Sequence, residues 1–152
     1  MNWETLLARR GAWAIAYPEG QPVIEWVQAR LAVPDFGPAV GLGLMRHRKL
    51  VAGVLYNGYT QGNICMHVAS DGSRYWMNRQ FLWRCFDYPF NQLGCRRVTG
   101  FVDAENAEAR RFNVHLGFAL ETRLEKAGAN GDILIYRMWR EDCKFLKPRS
   151  LH

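Results

Sequence analysis

The stretch Phe86–Leu124, FDYPFNQLGCRRVTGFVDAENAEARRFNVHLGFALETRL, decides how the rest of the chain is read. It opens on the end of a helix, where Pro89 removes one helical hydrogen bond and predicts a kink or break before Phe90. Gly94 is the natural stop. Arg97–Val102 (RVTGFV) alternates as a strand does, and Asn106–Leu116 has the polar start and apolar spacing of a short helix closed by Gly117. Phe118–Lys126 then returns as a strand that pairs with Asp132–Arg140 around Ala127–Gly131. Helix, strand, helix and hairpin in that order describe half of a mixed sheet with helices packed on it.

Working outward, residues 12–17 (AWAIAY) read as a short strand, and Gly20–Leu31 as a helix with Pro22 in its first turn and Val23, Ile24, Val27 and Leu31 along one side. Three strands follow, Val40–Arg46, Leu50–Tyr59 and Asn63–Ala69, joined by short connections suited to antiparallel hairpins. Asp71-Gly72-Ser73 is the expected cap of the long helix, Arg74–Leu93, whose apolar side holds Phe81, Leu82, Cys85 and Phe86. Glu141–Leu146 adds one helical turn at the end. The order is βαβββ-α-β-α-ββ. No repeat, linker or low-complexity tract appears, so residues 1–152 read as a single domain.

Composition sets outer bounds. A chain of 152 residues, 49% hydrophobic, buries a sizeable core and is not disordered. Its formal charge of +6 comes from scattered Lys and Arg, with no tract that reads as a nucleic-acid arm. The four cysteines form no CxxC pair, and no zinc-type spacing or Asp/His/Cys cluster implies a metal. The N-terminus is too interrupted for a signal peptide or membrane span. The expected setting is the cytoplasm, with reduced thiols. Trp76, Phe81, Trp83 and Phe86 read as core packing in preference to a platform for stacked bases.

The Phe86–Leu124 stretch resembles the C-terminal half of GNAT acetyltransferases, nearest the branch of the ribosomal-protein N-terminal acetyltransferases. The likeness rests on Phe90–Gly94, Arg97–Val102, Asn106 to Ala109 and Leu116-Gly117-Phe118, in that order and spacing. The whole chain also looks like small acetyltransferases of phages and prophages. The resemblance implies an α/β (α+β) fold: a mixed, mostly antiparallel central sheet flanked by helices on both faces. It also implies acetyl-CoA as co-substrate and acetyl transfer to an amine, by direct attack on the thioester.

It places the cofactor's pyrophosphate where a strand turns into a helix N-terminus, since backbone N–H groups and the helix dipole favour phosphate there. Val68, Ser70, Gly72, Ser73 and Arg74 occupy that position, although the family's Gln/Arg-x-x-Gly-x-Gly/Ala signature is absent in clean form and Asp71 brings a negative charge. It also places Asn106 against the pantetheine arm, a role compatible with capping its own helix. Many relatives carry a Tyr seven residues on, which protonates the leaving thiolate; here that position is Asn113, which cannot.

Amine attack needs a proton acceptor. His67, in the strand bordering the thioester, is the candidate base, with Glu25 and Tyr56 weaker alternatives. The acceptor is an amine on a protein or small molecule, contacted by residues 18–40 and by the hairpin tip at 125–131. A phage-type enzyme modifying nucleic acid and a non-catalytic CoA-binding module are the other classes to weigh. No membrane partner is expected, and the protein acts as a monomer or homodimer.

Overall fold

Sequence alternation and turn chemistry build seven strands, in the order β1-β2-β3-β4-β5-β7-β6. They are β1 (Ile15–Ala16), β2 (Val40–Arg46), β3 (Lys49–Asn57), β4 (Asn63–Ser70), β5 (Arg97–Asp103), β6 (Ala119–Leu124) and β7 (Ile133–Trp139). Pairing is antiparallel in β1–β2, β2–β3, β5–β7 and β6–β7, and parallel in β4–β5. Helices α1 (Gln21–Leu31), α2 (Arg79–Asp87) and α3 (Ala107–Leu116) flank the sheet. The structure is a computed structural model that describes residues 15–33, 35–73 and 78–147. These fall into two compact units, one running to Asn57 and including His67–Cys85, the other Gly58–Met66 with Phe86 onward.

In the first unit, glycines decide where the helix goes. Gly43 and Gly53 face each other across β2–β3. A Cβ on Gly53 would stand 2.7 Å from Val27 Cγ2, and one on Gly43 would stand 3.1 Å from Val23 Cγ2. The missing side chains let α1 lie close to the strands, burying Val23, Ile24 and Val27 with Leu55 and Ala69. Gly20 precedes α1, Pro22 sits in its first turn, and Ala32 ends it in a left-handed conformation.

In the second unit, Phe86 is fully buried and its ring stacks on Phe145 with centroids 5.3 Å apart, while Phe90 and Phe118 lie at 6.3 and 6.2 Å. α3 packs on β5 where Gly100 leaves room, since a Cβ there would stand 3.1 Å from Asn113 Oδ1.

Several expectations need correction. The long helix is not capped by Asp71-Gly72-Ser73. Its described part starts after Asn78, whose side chain accepts the Phe81 N–H at 3.1 Å. The expected start at Arg74 and the packing of Trp76 lie outside the described residues. Pro89 does not break the helix. It is absorbed in a π-helical turn, Tyr88–Gln92, where the Leu93 N–H reaches back five residues to the Tyr88 carbonyl at 3.0 Å. Phe81 and Phe86 are core, but Trp83 is 39% exposed. β3 ends at Asn57, two residues short of Tyr59, and β4 runs on to Ser70. The final helical turn is a 3-10 turn at Arg140–Asp142. Of the expected strand 12–17, β1 occupies Ile15–Ala16, and residues 12–14 lie outside the described residues.

Candidate active site

His67 sits in β4 and is largely buried, with its ring 4.3 Å from that of Phe36. Its Nε2 lies 2.9 Å from Asn57 Oδ1, while the Asn57 amide donates to the Phe36 carbonyl at 3.2 Å. With its NH2 given to Phe36, the Asn57 amide presents its oxygen to the ring, an arrangement that suits the tautomer with hydrogen on Nε2. Burial lowers the His67 pKa to about 4 by penalising the charged ring. The imidazole is therefore neutral at physiological pH and is a weak base. Asn57 and Phe36 were not foreseen, because nothing local in the sequence ties residues 10 and 31 positions away to His67.

The other candidate bases are placed plainly. Tyr56 is buried, and its hydroxyl donates to the Cys85 carbonyl at 2.6 Å. That bond has a cause in the sequence, since Pro89 has no N–H to offer the carbonyl four residues before it. Glu25 is exposed on α1.

The turn after β4 carries most of the residues expected to bind the cofactor. Gly72 has φ 89° with open space around it, which suits glycine alone. The N–H groups of this turn are already used. Asp71 donates to the Val51 carbonyl at 2.9 Å, Gly72 to Ser70 Oγ at 3.2 Å, and Ser73 to Asp71 Oδ1 at 2.8 Å. The Ser70 carbonyl accepts from Arg30 at 3.1 Å. Against this, the Ser73 hydroxyl is buried beside the Asp71 carboxylate and makes no well-formed hydrogen bond among the described residues. The turn thus fits a phosphate through one hydroxyl and not through a row of amides. Val68 is half-buried within β4, and Arg74 lies outside the described residues.

Asn106 caps α3, its Oδ1 accepting the Ala109 N–H at 3.0 Å. Its amide hydrogens keep no partner among the described residues. It lines a cavity of about 310 Å³ with Asp103, Glu105 and the 129–132 segment, so Asn106 and the expected acceptor-contacting hairpin tip meet at one site. Asn113 is turned to its own helix, with Nδ2 donating to the Ala109 carbonyl at 2.9 Å. Gly100, which makes room for it, was missed; the available signal was a glycine inside a strand.

Among the described residues no group of three His, Cys, Asp or Glu is placed to hold a metal, and no helix is long and apolar enough to cross a membrane. The four cysteines are free.

No protein-family model and no curated protein matches the sequence. Solved structures are similar. A variant of the spermidine N-acetyltransferase SpeG from Vibrio cholerae superposes with TM-score 0.67 at 12% identity, over 87% of this chain and 96% of that one. A GNAT-family acetyltransferase from Chromobacterium violaceum gives 0.60 at 20% identity, over 78% and 67%. The ribosomal-protein-S5-alanine acetyltransferase from Vibrio fischeri gives 0.57 at 16% identity, over 81% and 69%. Against a further acetyltransferase, at TM-score 0.61 and 18% identity, 76% of this chain spans only 62% of the other. The chain has the fold of the GNAT acetyltransferases.

Proposed function

We propose that the chain is a cytoplasmic, acetyl-CoA-dependent N-acetyltransferase working as a single domain. The observation that supports this best is the superposition on SpeG over nearly all of both chains. In the proposed reaction a neutral amine attacks the thioester carbonyl carbon. A C–N bond forms, the C–S bond breaks, the amine loses a proton, and the departing thiolate of CoA gains one. The similar structures name two kinds of acceptor, spermidine and a ribosomal protein, so the acceptor class proposed here is an amine on a small molecule or on a protein.

Each residue has a limited part. Asn106 holds the pantetheine arm with its spare amide hydrogens while its oxygen caps α3. Ser70, Gly72 and Ser73 meet the pyrophosphate, led by the Ser73 hydroxyl; drawing on the amides as well requires the Ser70 and Asp71 side chains to let go. Val68 lines the cofactor's path, and Arg74 adds positive charge. His67 acts as a relay for a proton held by water, because a base of pKa about 4 cannot by itself strip an alkylammonium. Asn113 supplies no acid, so water protonates the thiolate.

A second reading, a CoA-binding module without turnover, is favoured by the weak basicity of His67, with its pKa of about 4, and by Asn113, whose amide is turned to its own helix and offers no acid. Thermal unfolding with acetyl-CoA tests both readings. A ligand bound to the folded state at a hundred times its Kd adds about 2.7 kcal/mol. No shift at millimolar acetyl-CoA overturns both. A shift without acetylation of any amine in a panel of polyamines and peptides leaves the module. In a binding-competent enzyme, Asn106→Asp and Asn106→Ser should weaken acetyl-CoA binding at nearly unchanged stability, since both replacements still cap a helix.

A further inference from the structure

At the start of β4 and β5 and the end of β7 lies a second cavity, of about 520 Å³. Backbone bonds fix its walls. The Arg96 and Arg97 N–H groups both reach the Gly62 carbonyl, at 2.9 and 3.1 Å, and the Arg140 N–H reaches the Arg96 carbonyl at 2.9 Å. Asn63, Arg97 and Trp139 stand in one row across three strands by register. The volume falls in the range of small-molecule sites.

The charged groups around it are unequally occupied. Arg97 gives its two terminal nitrogens to Glu121 at 2.8 and 2.7 Å, one of them also to Thr99 Oγ1 at 3.0 Å, yet its Nε is buried with no acceptor among the described residues. A buried guanidinium N–H without an acceptor is costly, and a shift of the Arg97 side chain that brought it to an anionic oxygen in the cavity would relieve that cost. Arg140 is held by the Phe90 carbonyl and Asn91 Oδ1. Arg96 has no side-chain hydrogen bond or ion pair among the described residues. It lies over Gly62, where a Cβ would come within 3.2 Å of Nη2, so packing and not a salt bridge sets its position. Glu141 is the one carboxylate in the lining. Trp139 adds an aromatic wall, with the Arg137 guanidinium 4.3 Å from its ring centroid.

We propose that this cavity binds a small phosphate monoester, its phosphate between Arg96 and the Arg97 Nε–H and its planar body against Trp139. Arginine suits a phosphate because its fixed donors match the oxygens. The site is independent of acetyl transfer and is built from residues given no part in it.

Calorimetric titration of the full chain with phenyl phosphate tests the proposal, because this probe has no adenine to occupy a cofactor site. Saturable one-site binding is expected, weaker for inorganic phosphate and for benzoate. Arg96→Ala, at an exposed position, should weaken it about tenfold or more. Ser73→Ala should leave it unchanged. Absence of saturable binding overturns the proposal. So does full binding by Arg96→Ala, or loss in Ser73→Ala, which would put the phosphate on the turn after β4.

Discussion

Helix α1 lies on β2–β3 over a trench of glycines filled by Val23 and Val27, whereas α3 lies on β5 over the single Gly100, and the group that fills that space is the Asn113 amide. The first contact is hydrocarbon on backbone and does nothing but pack. In the second, a polar side chain occupies the position where the resembled family keeps an acid. The polar groups differ in degree. Around β4, His67 Nε2, Ser70 Oγ and Asp71 Oδ1 are taken up by neighbours, and the Ser73 hydroxyl is the group left over. Around β5, the Asn106 amide hydrogens and the Arg97 Nε have no acceptor among the described residues. Polar groups left over in a folded unit are those available to a ligand, so Ser73 in the first unit and Asn106 and Arg97 in the second are where binding should be easiest to disturb. Elsewhere in the first unit, polar substitutions should register as stability.

The largest effect belongs to the second unit's core. Phe86 has its ring among three others, and Phe86→Ala should cost about 3–5 kcal/mol by denaturant titration. Should that variant fail to fold, Phe86→Leu is expected to cost about 1–2 kcal/mol. A loss well below 1 kcal/mol for the alanine variant would mean that the aromatic cluster is not the unit's core.

The next effect belongs to His67. Its folded pKa of about 4 is below the ordinary 6.5, so between those values the unfolded chain binds more protons and stability falls as pH falls. The contribution is whole above pH 6.5, and about 3 kcal/mol of it is lost by pH 4. Comparison of wild type with His67→Gln across pH 4–7 isolates it, since the carboxylates titrate in both. An identical pH dependence in the two would place His67 in water. In the proposed enzyme the rate should rise with pH along the acceptor amine's own deprotonation, without an inflection near 6.5.

Most of the fold was legible because its signals are local. The hairpin β6–β7, the strand Arg97–Asp103 and the helix closed by Gly117 fell within one or two residues of their expected bounds. The helix start was misplaced because two capping signals compete, Asp71-Gly72-Ser73 and Asn78. Asp71 and Ser70 spend their side chains on a turn of their own. Pro89 predicted an interruption, but a π-helical turn accommodates a missing N–H without ending the helix. The site was less legible. Asn106 follows from a capping position, yet the tautomer of His67 depends on Asn57 and Phe36, and the satisfied turn depends on Val51. These are long-range pairings that no local pattern announces.

Tyr56 gives a smaller effect of the same origin. Its buried hydroxyl serves a carbonyl that Pro89 cannot serve, so Tyr56→Phe should cost about 2 kcal/mol in thermal or denaturant unfolding while leaving acetyl-CoA binding unchanged. A neutral Tyr56→Phe combined with lost activity would restore Tyr56 as a base and remove the structural account of its hydroxyl.

The smallest effect separates the two units by their hairpins. β6 and β7 are joined by a long loop that contains Gly128 and Gly131 and is closed by a Gly128 N–H to Gly131 carbonyl bond of 2.8 Å. β2 and β3 are joined by two residues only, His47 and Arg48, both left-handed at φ 52° and 64°. A two-residue turn of this hand matches the twist of the strands, but it is a glycine and asparagine conformation that a side chain occupies at a cost. Arg48→Gly relieves that cost and also loosens the unfolded chain, which subtracts part of the gain. The net expectation is a stabilisation of about 0.5–1 kcal/mol, a rise in Tm of roughly 1–4 °C for a chain of this size. Neither residue lies in the proposed cofactor turn or in the Arg96 cavity, so acetyl-CoA and phenyl phosphate should bind the variant as they bind wild type. A fall in Tm would show that the Arg48 side chain gives the hairpin more than its backbone loses.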